Sequence, residues 1–198
     1  MRKRICVFCG ANPGRNGDYT EAAERLGKAL VDRNIALVYG GTTVGLMGSV
    51  AKTVTELGGE VHGVIPTFLS KVEFPNHQVT HFYEVGSMHE RKQKMHDLSD
   101  AFIALPGGFG TMEEIFETLT WGQLGLHKKP SLFLNIKGYY RSLLSFFDHA
   151  IAEGFVRDSH RGLYLIEEDP VKAVGKLDTL IEATQRNPKV KSLLAKKM

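Results

Sequence analysis

The chain has 198 residues, 42% hydrophobic and 24% charged, with a formal net charge of +3; at that length a single domain buries roughly 70% of the surface its unfolded chain exposes. So small a charge excess gives no ground for nucleic-acid binding, and much of it gathers at Lys189, Lys191, Lys196 and Lys197, where a solvated chain end accounts for it. No apolar run is longer than a strand and two cysteines make no disulfide framework, so neither a signal peptide nor a membrane span is expected and the reducing cytoplasm is the expected compartment.

Arg4–Phe8 reads as a buried strand and 9–14 as the turn-rich loop after it. Cys6 and Cys9 stand as C-x-x-C. Residues three apart on a strand face opposite ways, and no second pair completes a zinc site, so both read as buried free thiols. Asp18 and Glu21 have capping-box spacing ahead of a helical stripe at Ala22, Ala23, Leu26, Ala29 and Leu30. Ile35–Tyr39 is a second strand, running into the glycine-bearing loop 40–48. Val50, Ala51, Val54 and Leu57 mark the next helix, which Gly58 and Gly59 end.

Val61–Ile65 is a third strand, stopped by Pro66, and 67–76 a loop carrying Lys71 and Glu73. His81–Val85 is a fourth strand. Ser87 and Glu90 form a capping box for a helix to Leu98. Ala101–Leu105 is the fifth strand, and Ser131–Asn135 the sixth. A helix follows over Tyr139–Glu153, then a strand over Leu163–Ile166 and a last helix from the Asp169-Pro170 cap to about Thr184. Apolar strands alternating with helices predict an α/β fold. Its expected form is a three-layer, Rossmann-like, doubly wound parallel sheet in a single domain over 1–198, with its core at about 4–184 and a basic tail at 185–198. Loops 9–14, 40–48, 66–76, 86–92 and 106–114 each follow a strand and should gather at one edge, where such sheets bind ligands.

The most telling of these loops is Pro106-Gly107-Gly108-Phe109-Gly110-Thr111-Met112-Glu113-Glu114, between the fifth strand and a helix whose apolar face carries Met112, Ile115, Phe116 and Leu119. Three glycines at a helix start leave backbone N–H groups open to a phosphate, and two carboxylates stand one turn inside. Thr111 and Glu114 also fit T-x-x-E, a capping box, so local sequence leaves Glu114 divided between a helix cap and a reactive group. Arg91 and Lys92 divide in the same way between a site and a solvated basic face beside Glu90, Lys94 and Asp97. His89 and His96, seven apart on one helix, read as surface or interface groups rather than metal ligands. Gly41, Gly45 and Gly48 do not spell the dinucleotide fingerprint, and both the phosphate-binding P-loop and the hydrolase nucleophile elbow are absent.

The nine residues from Pro106 match the PGGxGTxxE signature, and the chain resembles the LOG family, the cytokinin-activating phosphoribohydrolases. Cys6–Gly10, Tyr39–Gly41, Val44–Gly48, Gly63–Pro66, Met88–Lys92, Trp121–Gly125 and Gly138–Tyr140 extend the resemblance over about residues 4–184. It implies a homodimer that hydrolyses the N-glycosidic bond of AMP or an N6-prenylated AMP to free base and ribose 5-phosphate, with no cofactor and no metal. It also implies Arg91 and Glu114 as catalytic residues. Glu73, Lys92, Gly107, Gly108, Gly110, Thr111, Glu113, Thr120, Gly41, Gly45 and Asn12 are the implied substrate-binding positions. The family's older label, lysine decarboxylase, finds no lysine set up to hold pyridoxal phosphate. The P-G-G-x-G-T turn also occurs in molybdenum-cofactor carriers, so a non-catalytic nucleotide or cofactor carrier is the alternative reading.

Overall fold

The structure is a computed structural model that describes residues 2–72 and 74–186; Glu73 and the four tail lysines lie outside them. Its strands are β1 Arg4–Phe8, β2 Ala36–Tyr39, β3 Val61–Pro66, β4 His81–Val85, β5 Ala101–Ala104, β6 Ser131–Leu134 and β7 Tyr164–Glu167. Between them run α1 Gly17–Asp32, α2 Gly45–Glu56, the single turn α3 Thr67–Ser70, α4 Met88–Leu98, α5 Phe109–Gln123, α6 Arg141–Ala152 and α7 Pro170–Arg186. All six strand pairings are parallel, in the order β4-β3-β2-β1-β5-β6-β7.

The strands are apolar throughout because both faces of the sheet are covered. On β1, Ile5, Val7 and the following Cys9 enter the core under α1, α2 and α7, whereas Cys6 and Phe8 enter the core under α4, α5 and α6. The two cysteines thus face opposite layers as free thiols, and burial pushes both thiols up, so neither is a thiolate at neutral pH. The edge strands β4 and β7 are only partly buried. Among the described residues no helix is long and apolar enough to cross a membrane.

Element starts follow their caps. Ser87 Oγ accepts from Glu90 N–H at 3.2 Å and caps α4 as expected, whereas the Glu90 carboxylate accepts from Gly86 N–H at 2.7 Å, one residue ahead of the cap, rather than from Ser87. Asp169 Oδ1 accepts from the N–H groups of Val171 and Lys172, at 2.9 and 3.0 Å, and starts α7. Two expectations shift. Asn16, not Asp18, caps α1, its Oδ1 accepting from Asp18 N–H. The sixth helix starts at Arg141 rather than Tyr139, because Ile136–Gly138 closes first into a 3₁₀ turn with Lys137 at φ 52°.

Candidate active site

β1 and β5 are neighbours, yet the chain runs outward from them in opposite directions, toward β4 on one side and β7 on the other. A crevice opens beyond the carboxyl ends of strands where their order reverses. Here it is a cavity of about 410 Å³, walled by Cys9–Gly14 after β1, by Leu46 and Met47 at the start of α2, and by the glycine turn after β5. Tyr19, Arg91, Glu114 and Tyr139 complete it. Its size lies within the range of small-ligand sites.

Two approaches of backbone to backbone shape this crevice. Leu46 N–H donates to Gly10 O at 3.0 Å, and Gly10 N–H to Pro106 O at 3.1 Å, lacing the three loops together. Gly45, at φ +57°, lets the second loop come this close: a Cβ there would lie 2.3 Å from the carbonyl carbon of Ala11.

Gly108 caps α5 without a side chain, and the first backbone bond into the helix runs from Met112 N–H to Gly108 O at 3.1 Å. The N–H groups of Phe109, Gly110 and Thr111 therefore have no acceptor within the helix, and the helix dipole adds to their pull on an anion. The space in front of Gly108 and Gly110 is open to 4 Å. Behind the turn, Tyr140 and Tyr139 donate their hydroxyls to Leu105 O and Gly107 O, both at 2.5 Å, on either side of Pro106. The Gly138–Tyr140 motif thus holds the turn rigid.

Arg91 is 7% exposed, which removes the solvated-face alternative for it. Its Nε donates to Val64 O at 3.1 Å and its Nη2 to Gly40 O at 3.2 Å. Gly40 is part of this seat, since a Cβ there would fall 2.2 Å from Nη2. The remaining nitrogen, Nη1, lies 3.7 Å from Glu114 Oε1. Burial pushes the Glu114 carboxyl up to about 7; Arg91 pulls against that rise and Glu113 adds to it. The Thr111/Glu114 capping box does not form. With Gly108 as the cap, both residues are already inside the helix and buried, and the Glu114 carboxylate points to Arg91.

Of the other expected site residues, Asn12, Gly107, Gly108, Gly110 and Thr111 line the cavity with Arg91 and Glu114. Lys92 does not: its Nζ bonds to Glu113 and, at 2.9 Å, to Glu117, bridging α4 to α5. Burial opposes its charge, but these two carboxylates outweigh burial and hold its pKa above the usual lysine value. Glu113 is half exposed in that pair. Thr120 donates to Phe116 O at 2.7 Å and faces a separate apolar groove with Phe147, Ile151 and Tyr164. Gly41 backs onto Val64 and Ile65 of β3. His89 is exposed, but His96 is not a surface group: it stacks on Phe102 and meets Trp121 edge-on, and burial pulls it down to about 4. Sequence reasoning did not single out Gly40, Tyr19, Met47 or Tyr139. For Gly40, Met47 and Tyr139 the signal lay within the motifs of the family resemblance, whereas Tyr19 reaches the cavity only through tertiary packing.

A family model described as possible lysine decarboxylase matches residues 47–177. A rice (Oryza sativa subsp. japonica) protein described as a probable cytokinin riboside 5′-monophosphate phosphoribohydrolase is 51% identical over 179 residues, 90% of this chain and 79% of its own length. An Arabidopsis thaliana cytokinin riboside 5′-monophosphate phosphoribohydrolase is 46% identical over 190 residues, 96% of this chain and 89% of its own. Among solved structures, the Moco carrier protein of Chlamydomonas reinhardtii aligns over 92% of this chain and 99% of its own, with a TM-score of 0.71 at 22% identity. The molybdenum cofactor binding protein of Rippkaea orientalis covers 91% and 98%, with a TM-score of 0.70 at 22% identity. These two likenesses establish the shared fold.

Proposed function

Because the chain belongs to the cytokinin riboside 5′-monophosphate phosphoribohydrolase family, we propose that it hydrolyses the N-glycosidic bond of N6-modified adenosine 5′-monophosphates, releasing an adenine-type base and ribose 5-phosphate. The observation that carries this reading is the buried Arg91–Glu114 pair, opening on the same cavity as the glycine turn, whose first N–H groups have no acceptor within the helix. The turn holds the 5′-phosphate. That places the ribose over Glu114, where cleavage builds positive charge on the sugar. The C1′–N bond breaks, its electron pair leaves with the base, and a water oxygen bonds to C1′. Glu114, as the carboxylate, stabilises the cationic sugar and takes the water's proton, while the departing base takes a proton from solvent and Glu114 returns its own to solvent. Arg91, held by two carbonyls, fixes Glu114 and keeps part of it ionised near neutrality. The step uses no cofactor.

Other chemistries have less to stand on. No lysine lines the cavity among the described residues, so a pyridoxal Schiff base has no anchor there. The carrier alternative rests on shared fold alone and gives no role to a carboxylate raised toward neutrality. The assay is direct: the protein is incubated with AMP and with isopentenyladenosine monophosphate, and free base is followed by chromatography. Base release from the prenylated substrate is expected. No release from either, with nucleotide binding intact, overturns the enzyme reading.

We also read the protein as a homodimer. α6 carries Leu143, Leu144, Phe146, Phe147 and Ile151, yet none of its residues is fully buried. Phe146 is 59% and the nearby Phe155 88% exposed. A second copy covering this face accounts for it. Light scattering should give twice the 22.0 kDa chain mass; a monomer mass removes the dimer.

A further inference from the structure

At the opposite edge of the sheet from the cavity, the N-terminal ends of β3 and β4 bring together Glu60, His62 and His81. Their placement follows from strand geometry. Glu60 and His62 are two apart, so they share a face. His81 is the register partner of His62 on the neighbouring strand and lies on that same face. The nearest carboxylate oxygen and ring nitrogens of the three all fall within 4.8 Å of one another. We propose that these three side chains form a binding site for one divalent transition-metal ion of the zinc type, outside the nucleotide site.

A hydrogen bond explains only part of the cluster. His62 Nε2 lies 2.6 Å from Glu60 Oε1, a normal hydrogen bond. His81 Nε2 lies 4.0 Å from the same oxygen, too far to bond to it, although the two imidazoles stack at 4.5 Å between centroids. One ion accepts all three atoms, and two imidazoles with a carboxylate are a donor set that zinc takes readily. Ligand atoms around a tetrahedral zinc stand roughly 3.3 Å apart, from bond lengths of about 2.0–2.1 Å. Glu60 and His62 must open slightly and His81 close in. The His81 side chain is 47% exposed, so the protein leaves room on its solvent side for that movement.

The outer groups are also placed as at metal sites. The second nitrogen of His62, Nδ1, lies 3.4 Å from the Tyr83 hydroxyl, and the second oxygen of Glu60, Oε2, accepts from Arg2 Nη1 at 3.2 Å. Each fixes its ligand's free side while leaving the converging atom available. His62 itself is 2% exposed, so the site has one rigid wall and one open door. An ion there staples β4, an edge strand, to β3.

The test uses tag-free, full-length protein stripped with a chelator and titrated with zinc chloride by calorimetry, alongside His81→Ala and Glu60→Gln. One equivalent should bind the parent and raise its Tm by roughly 5–10 °C at saturating zinc. His81 is exposed, so His81→Ala should fold normally, yet bind zinc at least roughly 100-fold more weakly, because it removes a ligand rather than an outer partner, and lose the Tm gain. Base release by His81→Ala should equal the parent's. No zinc uptake by the parent, or equal uptake by His81→Ala, overturns the site.

Discussion

Glu114→Gln is expected to abolish base release, lowering kcat/KM by about 10³-fold, while leaving the fold and nucleotide binding in place. Glutamine keeps the shape of the side chain and removes its charge and basicity. In the proposed reading the phosphate is held by backbone N–H groups of the glycine turn, which this change does not touch. Stability separates the two roles once open for this residue. The folded carboxyl titrates at about 7 against a usual 4.5, so between those values the folded state holds a proton the unfolded chain has lost. Stability therefore falls as pH rises through that window, and at pH 8 the ionised carboxylate costs about 3 kcal/mol. Glutamine removes that cost, so its Tm at pH 8 should equal or exceed the parent's. A helix cap predicts the reverse, a loss of about 1 kcal/mol. The parent's kcat/KM should climb through an acid limb and level off above pH about 7, as Glu114 becomes the carboxylate. Full activity in Glu114→Gln, or a flat profile through that range, removes Glu114 from the chemistry.

The strands were legible because burial on both faces leaves runs such as Ile5–Phe8 and Phe102–Ala104 with no polar alternation, a pattern that only a covered parallel sheet tolerates. The strand–glycine turn–helix arrangement was legible for a local reason too, since glycines between a strand and a helix act through their own backbone. What the residues alone did not decide was which polar groups are buried. Thr111 and Glu114 have cap spacing whether or not they cap, and only the seating of α5 against Arg91 distinguishes the cases. Arg91 sits among charged neighbours on α4, and the carbonyls that bury it, Gly40 O and Val64 O, come from 51 and 27 positions away. Lys92 next to it has carboxylate partners 21 and 25 positions along. His96 looked exposed because Phe102 and Trp121, which enclose it, belong to other elements. Pairings across elements of this kind leave no local period to read.

Arg91→Ala should cost both activity and stability, and the combination distinguishes it from Glu114→Gln. Truncation leaves Val64 O and Gly40 O buried without their donors and removes the cation beside Glu114. A loss of about 3 kcal/mol is expected, lowering Tm by roughly 6–12 °C. The drop in kcat/KM should reach about 10²–10³-fold, the usual effect of removing one preorganised charge. Arg91 also pulls the Glu114 carboxyl down against burial. Without it that carboxyl rises further, so the acid limb of the residual activity should move to higher pH. Arg91→Lys sharpens the test because it keeps the charge and loses the planar fork. One ammonium on a flexible stem does not replace a guanidinium that spans two carbonyls while presenting a third nitrogen to Glu114. The lysine variant should therefore recover part of the Tm and hold the acid limb near the parent's, yet remain at least about tenfold less active, because orientation is lost even where charge is kept. An exposed basic face would make both substitutions silent in activity and Tm alike, and that result would return Arg91 to the surface.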